Sequence, residues 1–212
     1  MVSSLAQLDI NKKYTYADYL GWQFKERVEL IFGRVFKMSP APKTAHQVVS
    51  MELSNMLYQC MKARECKVFT APFDVRIPRT LTARDDETDT VVQPDICVVC
   101  EASKLDERGC LGAPDLIVEI LSDSSVKRDL HDKYELYESA GVKEYWIVHP
   151  RDKTILKYTL DGAGEYQPSR LYTLGDVLTS KILHEYTISL DDTFSGMVNE
   201  DDLEYEKSIV RL

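Results

Sequence analysis

The chain has 212 residues, a length that suits one folded domain with a substantial core. Hydrophobic residues make up 44% and charged residues 29% of the sequence, which excludes a disordered chain and a fibrous repeat. The net charge of −9 argues against a protein that coats nucleic acid through bulk attraction.

The charges are unevenly distributed along the chain. Residues 1–70 carry ten Lys and Arg against six Asp and Glu, whereas residues 71–212 are acidic. The basic part can face phosphates or can be only a solvated surface, and composition does not separate the two. No stretch approaches the roughly 18 apolar residues of a membrane span, and "MVSSLAQLDINKK" lacks the features of a secretory signal, so we expect a cytoplasmic protein.

The first third of the chain predicts a helix, a hairpin and a long helix. "YTYADYLGW" is typical of a short helix with Thr15 as its N-cap, and "RVELIFGRVFKMSP" predicts two short strands around Gly33. In "HQVVSMELSNMLYQCMKARE" apolar residues recur at helical spacing, which predicts an amphipathic helix. The predicted apolar face consists of Val48, Met51, Met56, Cys60 and Met61, flanked by Leu53 and Leu57.

The rest of the chain predicts mainly strands. "KVFTAPFDVRIP" and "TVVQPDICVV" are separated by the polar loop "RTLTARDDETD", and "PDLIVEILS" follows as the most buried strand. "SSVKRDLHDKYELYESAGV" predicts one helix that opens on serines and ends at Gly141. "KEYWIVHP", hairpins within "RDKTILKYTLDGAGEYQPSRLYT" and a last strand "EYTISL" lead to an acidic tail, residues 195–212, that we expect to be frayed. This order predicts a mixed sheet sandwiched by helices.

Five cysteines form an odd set: Cys60, Cys66, Cys97, Cys100 and Cys110. We expect reduced thiols, because a domain of this size does not depend on disulfides. The C-x-x-C pair lies inside a strand pattern, where positions three apart point to opposite faces. No second Cys or His pair at ligand spacing accompanies it, so a zinc site is not favoured.

A glutamate interrupts the most apolar strand. Glu119 lies in "PDLIVEILSDSS", where an ionised carboxylate is unfavourable unless it is ion-paired, capped by backbone donors or bound to a metal. In the preceding strand, Pro94 marks an edge, a bulge or a strand start immediately before Asp95. If the two strands are neighbours, both carboxylates project into one pocket, where a shared proton or a bound cation makes the pair tolerable. Oxygen ligands with open water positions favour Mg²⁺ or Mn²⁺ over zinc.

The helix after this strand supplies a candidate cation. The strand position that would aim a lysine beside Glu119 is occupied by Leu121. Asp129 and Lys133 are four residues apart on one helix face, and Lys133 is close enough in sequence to reach back to Glu119. The alternative is that Lys133 only forms an ion pair with Asp129 on a solvated face. We expect the aromatic residues of this region to lie in the core and at its rim: Tyr134, Tyr137, Tyr145 and Trp146.

Four stretches together resemble the Uma2 family of the PD-(D/E)xK restriction-endonuclease-like superfamily: "ELIFGRVFKMSP", "VVQPDICVV", "APDLIVEILSDSS" and "KRDLHDKYELYESAGVKEYWIVHP". The resemblance spans residues 14–194 and implies one α/β nuclease domain with a restriction-endonuclease-like mixed β-sheet flanked by α-helices. It implies Asp95 and Glu119 as metal ligands. It also implies that Lys133 replaces the missing lysine of the E-x-K motif, and it matches Glu29 to an additional acidic position.

The resemblance therefore implies an endonuclease, dependent on Mg²⁺ or Mn²⁺, that hydrolyses phosphodiester bonds of DNA. Lys133 would be an electrostatic or water-orienting partner, Glu29 would assist, and His46 matches a histidine that opens the long helix. His149 departs from the pattern, which has aspartate there. The alternatives are a catalytically inactive binding or scaffold protein of the same fold, or a toxin-like or mobile-element-associated accessory factor. Because cleavage of both strands of a duplex generally needs two active sites, we expect a homodimer.

Overall fold

The computed structural model describes residues 2–38, 42–62, 64–122 and 126–197. The helices in these ranges are α1 (Tyr16–Leu20), α2 (Thr44–Met61), α3 (Val126–Leu130), α4 (Asp132–Ala140) and α5 (Leu190–Phe194). The first strands are β1 (Val28–Ile31), β2 (Arg34–Lys37), β3 (Lys67–Thr70), β4 (Val75–Arg76), β5 (Val91–Val92), β6 (Ile96–Val99), β7 (Leu105–Asp106) and β8 (Gly109–Leu111). The others are β9 (Leu116–Ile120), β10 (Glu144–His149), β11 (Thr154–Leu160), β12 (Tyr166–Pro168), β13 (Val177–Thr179) and β14 (Thr187–Ser189).

The strands form two large mixed sheets and a small one. The first sheet has the order β2-β1-β5-β4-β8-β7, and the second has the order β12-β11-β10-β9-β6-β3. In the second sheet β9 and β10 are parallel, whereas β6 and β9 are antiparallel. Strands β13 and β14 pair separately. The predicted α/β class, with mixed strands flanked by helices, is confirmed, although the strands divide between two large sheets.

The central strands of the second sheet, β6, β9 and β10, are buried on both faces, and all five residues of β9 are buried. One face packs against α2 through Val49, Leu53, Leu57, Ile96, Leu116, Val118, Trp146 and Val148. The opposite face packs against the first sheet and α4 through Cys97, Ile117, Ile147, Val75, Val92, Leu136 and Tyr137. Burial on both faces accounts for the continuous apolar sequence of β9.

The ends and capping of several helices follow the sequence signals, but two predictions were wrong. Thr15 caps α1 in a capping box with Asp18, and Gly141 ends α4 with a left-handed φ of 83°. The predicted single helix is divided into α3 and α4, because His131 has non-helical backbone angles. On α2 the buried stripe follows Val49, Leu53 and Leu57, whereas Met51, predicted to be buried, is 71% exposed.

Further differences from the predictions concern the strands. The predicted strands "KVFTAPFDVRIP" and "TVVQPDICVV" are each divided, the first into β3 and β4 and the second into β5 and β6, and the two parts of each belong to different sheets. Strands β7, β8 and β13 were not predicted, and α5 directly follows the short strand β14. Most of the predicted acidic tail, residues 198–212, lies outside the described residues. None of the described helices is long and apolar enough to cross a membrane.

The expectation that all cysteines are reduced is wrong for one pair. Cys66 and Cys100 form a disulfide. Strands β3 and β6 are antiparallel with Lys67 opposite Val99, and this register brings the residues just beyond each strand end, Cys66 and Cys100, opposite one another. The three other cysteines are unbonded and buried. Cys97 and Cys100 contact different core clusters, as the strand pattern predicted.

Candidate active site

Antiparallel pairing of β6 and β9 brings Asp95 and Glu119 together. Ile96 lies opposite Val118, so the same register places Asp95 opposite Glu119. Residues directly opposite in an antiparallel pair project to the same face. The Oδ2 atom of Asp95 accepts a hydrogen bond of 2.7 Å from the backbone N–H of Ile120. The two predicted strands are therefore neighbours, and the backbone of β9 orients Asp95.

Glu29 enters the site from the other large sheet. Residues 93–95 connect β5 of the first sheet to β6 of the second. In this connection the backbone N–H of Gln93 donates a hydrogen bond of 3.0 Å to Oε1 of Glu29. Glu29 is only 1% exposed, so its carboxylate is fully buried beside the crossover. The crossover thus places side chains from both sheets beside one another.

Lys133 occupies the centre of the carboxylates. Its ammonium Nζ lies 2.8 Å from Oε1 of Glu119, 2.9 Å from Oε1 of Glu29 and 3.8 Å from Oδ1 of Asp129. Lys133 is 3% exposed. The alternative of a solvated Lys133 and Asp129 pair is therefore wrong, since both residues are buried. The structure brings Lys133, Glu119 and Glu29 into direct contact and places Asp95 next to Glu119.

Two tyrosines donate hydrogen bonds to residues of this cluster. The hydroxyl of Tyr137 donates a hydrogen bond of 2.7 Å to Oε1 of Glu119, and the hydroxyl of Tyr145 donates one of 3.0 Å to the carbonyl of Asp129. Their rings meet edge to face with centroids 5.0 Å apart. The sequence predicted core aromatics here and missed these hydrogen bonds. The available signal was spacing, because Tyr137 lies four residues after Lys133 and so shares its helix face.

His46 and Arg128 lie beside two of the carboxylates. The Nε2 atom of His46, in the first turns of α2, lies 3.3 Å from Oδ2 of Asp95. Its other nitrogen, Nδ1, is buried and has no hydrogen-bond partner among the described residues. The Nη1 atom of Arg128 lies 3.8 Å from Oε2 of Glu29. Sequence reasoning gave His46 only through the resemblance, and it did not identify Arg128.

These side chains line a small cavity with a volume of about 70 Å³. Its lining is Glu29, Met38, His46, Gln93, Asp95, Glu119, Ile120, Ser122, Arg128, Asp129 and Lys133. A larger cavity of about 530 Å³ adjoins residues 77–81 and the C-terminal end of α4, and none of the predicted site residues lines it. The chemistry-bearing side chains therefore converge on the smaller cavity.

The pKa values of both Glu119 and Lys133 are raised in this cluster, each by a different cause. Burial raises the pKa of Glu119, the Lys133 charge lowers it, and the charges of Asp129, Asp95 and Glu29 raise it again, so that it lies well above its ordinary value. Burial lowers the pKa of Lys133, but Glu119, Glu29 and Asp129 more than offset this effect. Lys133 therefore stays protonated at physiological pH, and Glu119 holds a proton more readily than an ordinary glutamate.

The charge balance of the cavity favours a bound cation. Four carboxylates line it against two permanent cations, Lys133 and Arg128. In a poorly solvated cavity this excess is unfavourable unless a carboxyl is protonated or a cation binds. Asp95 and Glu119 present oxygen donors from opposite positions of two strands, which fits Mg²⁺ or Mn²⁺. Among the described residues no group of three or more His, Cys, Asp or Glu is placed to hold a metal ion, whereas Mg²⁺ commonly uses one or two carboxylates and retains waters.

Two polar residues that do not line the small cavity, Asp115 and His149, have structural contacts. Asp115, just before β9, is 4% exposed and accepts hydrogen bonds from the backbone N–H of Cys100 and from Nζ of Lys143, at 2.7 and 2.6 Å. His149 lies outside the small cavity, and its Nδ1 atom is 3.7 Å from Asp152. Asp115 therefore ties together the starts of β9 and β10.

Comparisons with known proteins identify the family and the fold. The model of the Uma2 family, described as "Putative restriction endonuclease", matches residues 16–191. The uncharacterized protein slr1290 of Synechocystis sp. is 24% identical over 157 residues, which cover 73% of this chain and 78% of that protein. A crystal structure from Anabaena variabilis, described as a "putative nuclease", superposes with a TM-score of 0.66 at 20% identity. The superposition covers 85% of this chain and 97% of the other, and it shows a shared fold.

Proposed function

Because the chain belongs to the Uma2 family, we propose that it is a metal-dependent endonuclease that hydrolyses phosphodiester bonds of DNA. The observation that carries this proposal is the convergence of Glu29, Asp95, Glu119 and Lys133 on one cavity from β1, the β5–β6 connection, β9 and α4. Burying such a cluster lowers the stability of the fold, because each carboxylate loses hydration. A functional role accounts for a cluster with this cost. The family description and the fold shared with a protein described as a nuclease support the same reaction class.

In this proposal Asp95 and Glu119 hold Mg²⁺ or Mn²⁺ through their carboxylate oxygens. When bound, the ion supplies Lewis acidity, which makes water more acidic and stabilises negative charge on a phosphate. The backbone N–H of Ile120 orients Asp95, and Tyr137 orients Glu119, at the 2.7 Å contacts described above. Both carboxylates are therefore held in defined rotamers before a ligand arrives.

Lys133 acts as a permanent cation in this proposal. Its raised pKa means that it does not accept a proton near neutral pH, so it does not serve as a general base. An ammonium can donate hydrogen bonds to an attacking water or to a phosphate oxygen that gains charge in the transition state. Glu29 also contacts the ammonium, at 2.9 Å, and is a positioning residue.

One observation favours the alternative of a catalytically inactive binding or scaffold protein. The Lys133 ammonium is already surrounded by three carboxylates within 3.8 Å, and the side chain is almost completely buried. A lysine that must contact substrate would have to exchange at least one of these partners. Binding and cleavage therefore have to be measured separately.

A nuclease assay on labelled duplex and single-stranded DNA tests the proposal. We expect cleavage with Mg²⁺ or Mn²⁺, no cleavage with EDTA, and none for Asp95→Ala. The matched control is Asp86→Ala, which changes an exposed aspartate and should cleave like wild type. Calorimetric titration of the metal should detect a site that Asp95→Ala lacks. Equal metal binding by wild type and Asp95→Ala would refute the metal-site assignment, and metal binding without cleavage would favour the inactive alternative.

We also propose a homodimer as the active assembly. A duplex has two strands of opposite polarity, and a twofold pair of identical sites can cleave both of them. Light scattering at micromolar concentration should give a mass twice the 24.3 kDa of the chain. A particle with the mass of one chain, active on duplex DNA, would contradict this assembly.

A further inference from the structure

An exposed arginine, Arg27, immediately precedes the strand that carries Glu29. Strand β1 pairs with β2 so that Val28 lies opposite Lys37, which places Arg27 opposite Met38, and the backbone N–H of Met38 donates to the carbonyl of Arg27 at 3.0 Å. Arg27 thus continues the pairing of β1 by one residue, and it projects to the same face as Glu29, roughly 7 Å from it along the chain. Because Met38 lines the cavity and Arg27 is exposed, Arg27 lies at the solvent side of the carboxylates.

Gln93 holds this arginine toward the cavity. The Nε and Nη2 atoms of Arg27 donate to Oε1 of Gln93 at 3.1 and 2.6 Å. Gln93 itself lines the cavity, and its Nε2 atom donates to Oδ1 of Asp74 at 2.7 Å and to the hydroxyl of Tyr19 at 3.3 Å. The amide is therefore fixed on its other side. Arg27 is held through an uncharged acceptor, which orients its guanidinium without neutralising it.

Arg27 makes no ion pair among the described residues, unlike the surface arginines Arg84 and Arg170. Arg84 lies 2.9 Å from Asp86, and Arg170 lies 2.9 Å from Asp176. Among the described residues no carboxylate lies within 4 Å of Arg27, and its Nη1 atom makes no hydrogen bond with them. A second guanidinium, that of Arg128, lies near the same end of this strand pair and donates to the carbonyl of Lys37 at 3.2 Å.

A phosphodiester that approaches this cavity meets four carboxylates, which repel it. Cations at the entrance are needed to hold the backbone there, and a guanidinium binds phosphate oxygens with two parallel hydrogen bonds. We propose that Arg27 and Arg128 form a phosphate clamp at the mouth of the cavity, with Arg27 as the residue that binds a phosphate of the DNA backbone. This proposal rests on the proposed nuclease function and adds the residue that binds the substrate.

Equilibrium binding of a fluorescent DNA duplex, measured by polarisation in EDTA so that no cleavage occurs, tests the clamp. Arg27→Gln should weaken binding about tenfold and reduce the slope of log affinity against log salt by about one phosphate contact. Arg27→Lys keeps the charge but loses the paired N–H donors of the guanidinium, so its affinity for DNA should lie between those of Arg27→Gln and wild type. The control Arg84→Gln, on the far acidic loop and 72% exposed, should bind within twofold of wild type.

Calorimetric binding of Mg²⁺ to Arg27→Gln, at wild-type affinity, shows that the variant is folded and its carboxylates are intact. If Arg27→Gln then binds DNA with wild-type affinity and salt slope, the clamp is wrong even though wild type cleaves DNA. If Arg84→Gln weakens DNA binding as much as Arg27→Gln does, the loss of affinity comes from the change in net charge, and the clamp is also wrong. A wild-type protein that neither binds nor cleaves DNA would instead refute the proposed function together with the clamp.

Discussion

Replacing Lys133 with methionine tests the electrostatics on which the site depends. The substitution keeps most of the side-chain length and removes the charge that lies within 3.8 Å of Glu119, Glu29 and Asp129. Removing one partner of a buried ion pair costs about 3–5 kcal/mol, because the remaining charge is uncompensated. The variant can remove that charge by protonating one glutamate. The free-energy cost of this protonation is about 1.4 kcal/mol for each pH unit above a pKa near 4.3, which gives about 3.7 kcal/mol at pH 7. We therefore expect a loss of about 4 kcal/mol in the free energy of unfolding at pH 7.

The pH dependence of this loss carries a definite sign. Without Lys133 the folded-state pKa of an uncompensated carboxyl lies above its unfolded value. Its destabilising effect is then complete above the folded pKa and disappears as the pH falls toward the unfolded value near 4.3. The difference between wild type and Lys133→Met should therefore shrink to about 1 kcal/mol at pH 5.

Urea unfolding in EDTA at pH 7 and pH 5, followed by tryptophan fluorescence, measures both quantities. The control is Lys12→Met, which removes an exposed lysine 3.5 Å from Asp18; this change should cost less than about 1 kcal/mol at either pH. A loss below about 1 kcal/mol for Lys133→Met at pH 7, or an equal loss at pH 5 and pH 7, would refute the reasoning. Lys133 would then not be the charge that makes the buried carboxylates tolerable.

Three further predictions follow from named contacts. Tyr137→Phe removes a hydrogen bond to Glu119 and should lower the free energy of unfolding by about 1.5–3 kcal/mol. The variant should also have a reduced kcat with the KM for DNA unchanged, and a changed KM with an unchanged kcat would contradict a positioning role. Glu119→Gln keeps an acceptor for Lys133 and removes a like charge, so without metal at pH 7 it should melt no lower than wild type, and Mg²⁺ should raise the Tm of wild type only; an equal rise in the variant would exclude Glu119 as a ligand. Alkylation of the unfolded protein without reductant should modify three of the five cysteines, and modification of all five would contradict the bond between Cys66 and Cys100.

Local sequence patterns predicted the central part of the site because its members are close in sequence or lie on regular elements. A carboxylate inside a doubly buried strand is detectable from the apolar residues around Glu119. The proline before Asp95 marked the point where the chain leaves one sheet and enters another. Lys133 could be predicted as a partner of Glu119 because only a short segment separates it from the strand, although the sequence left open whether Lys133 is buried.

The features that the sequence did not reveal depend on contacts between distant segments. The disulfide between Cys66 and Cys100 requires the register of β3 against β6, which no local pattern encodes. The same holds for Gln93, whose backbone meets Glu29 across 64 positions of sequence. The buried face of α2 was predicted only in part: Cys60 and Met61 are buried as predicted, whereas Met51 is exposed. Apolar residues occur on more than one side of this helix, and the packing partner decides which of them are inside. Met51 is the residue at which that ambiguity shows.

Depth orders the site residues and separates their proposed roles. Arg27 is exposed at the mouth, the side chain of Asp95 is 22% exposed beside His46, and Lys133 is 3% exposed beneath them. In the proposed function, DNA would contact Arg27 and a hydrated cation would contact Asp95, whereas solvent scarcely reaches Lys133. Substitution at Arg27 should therefore affect DNA binding with little change in folding, because exposed residues contribute little to stability. Substitution at Asp95 should affect metal binding, and substitution at Lys133 should act first on the fold itself. If substitutions at Arg27, Asp95 and Lys133 all changed the same single property, the three residues would not have the separate roles that their exposures suggest.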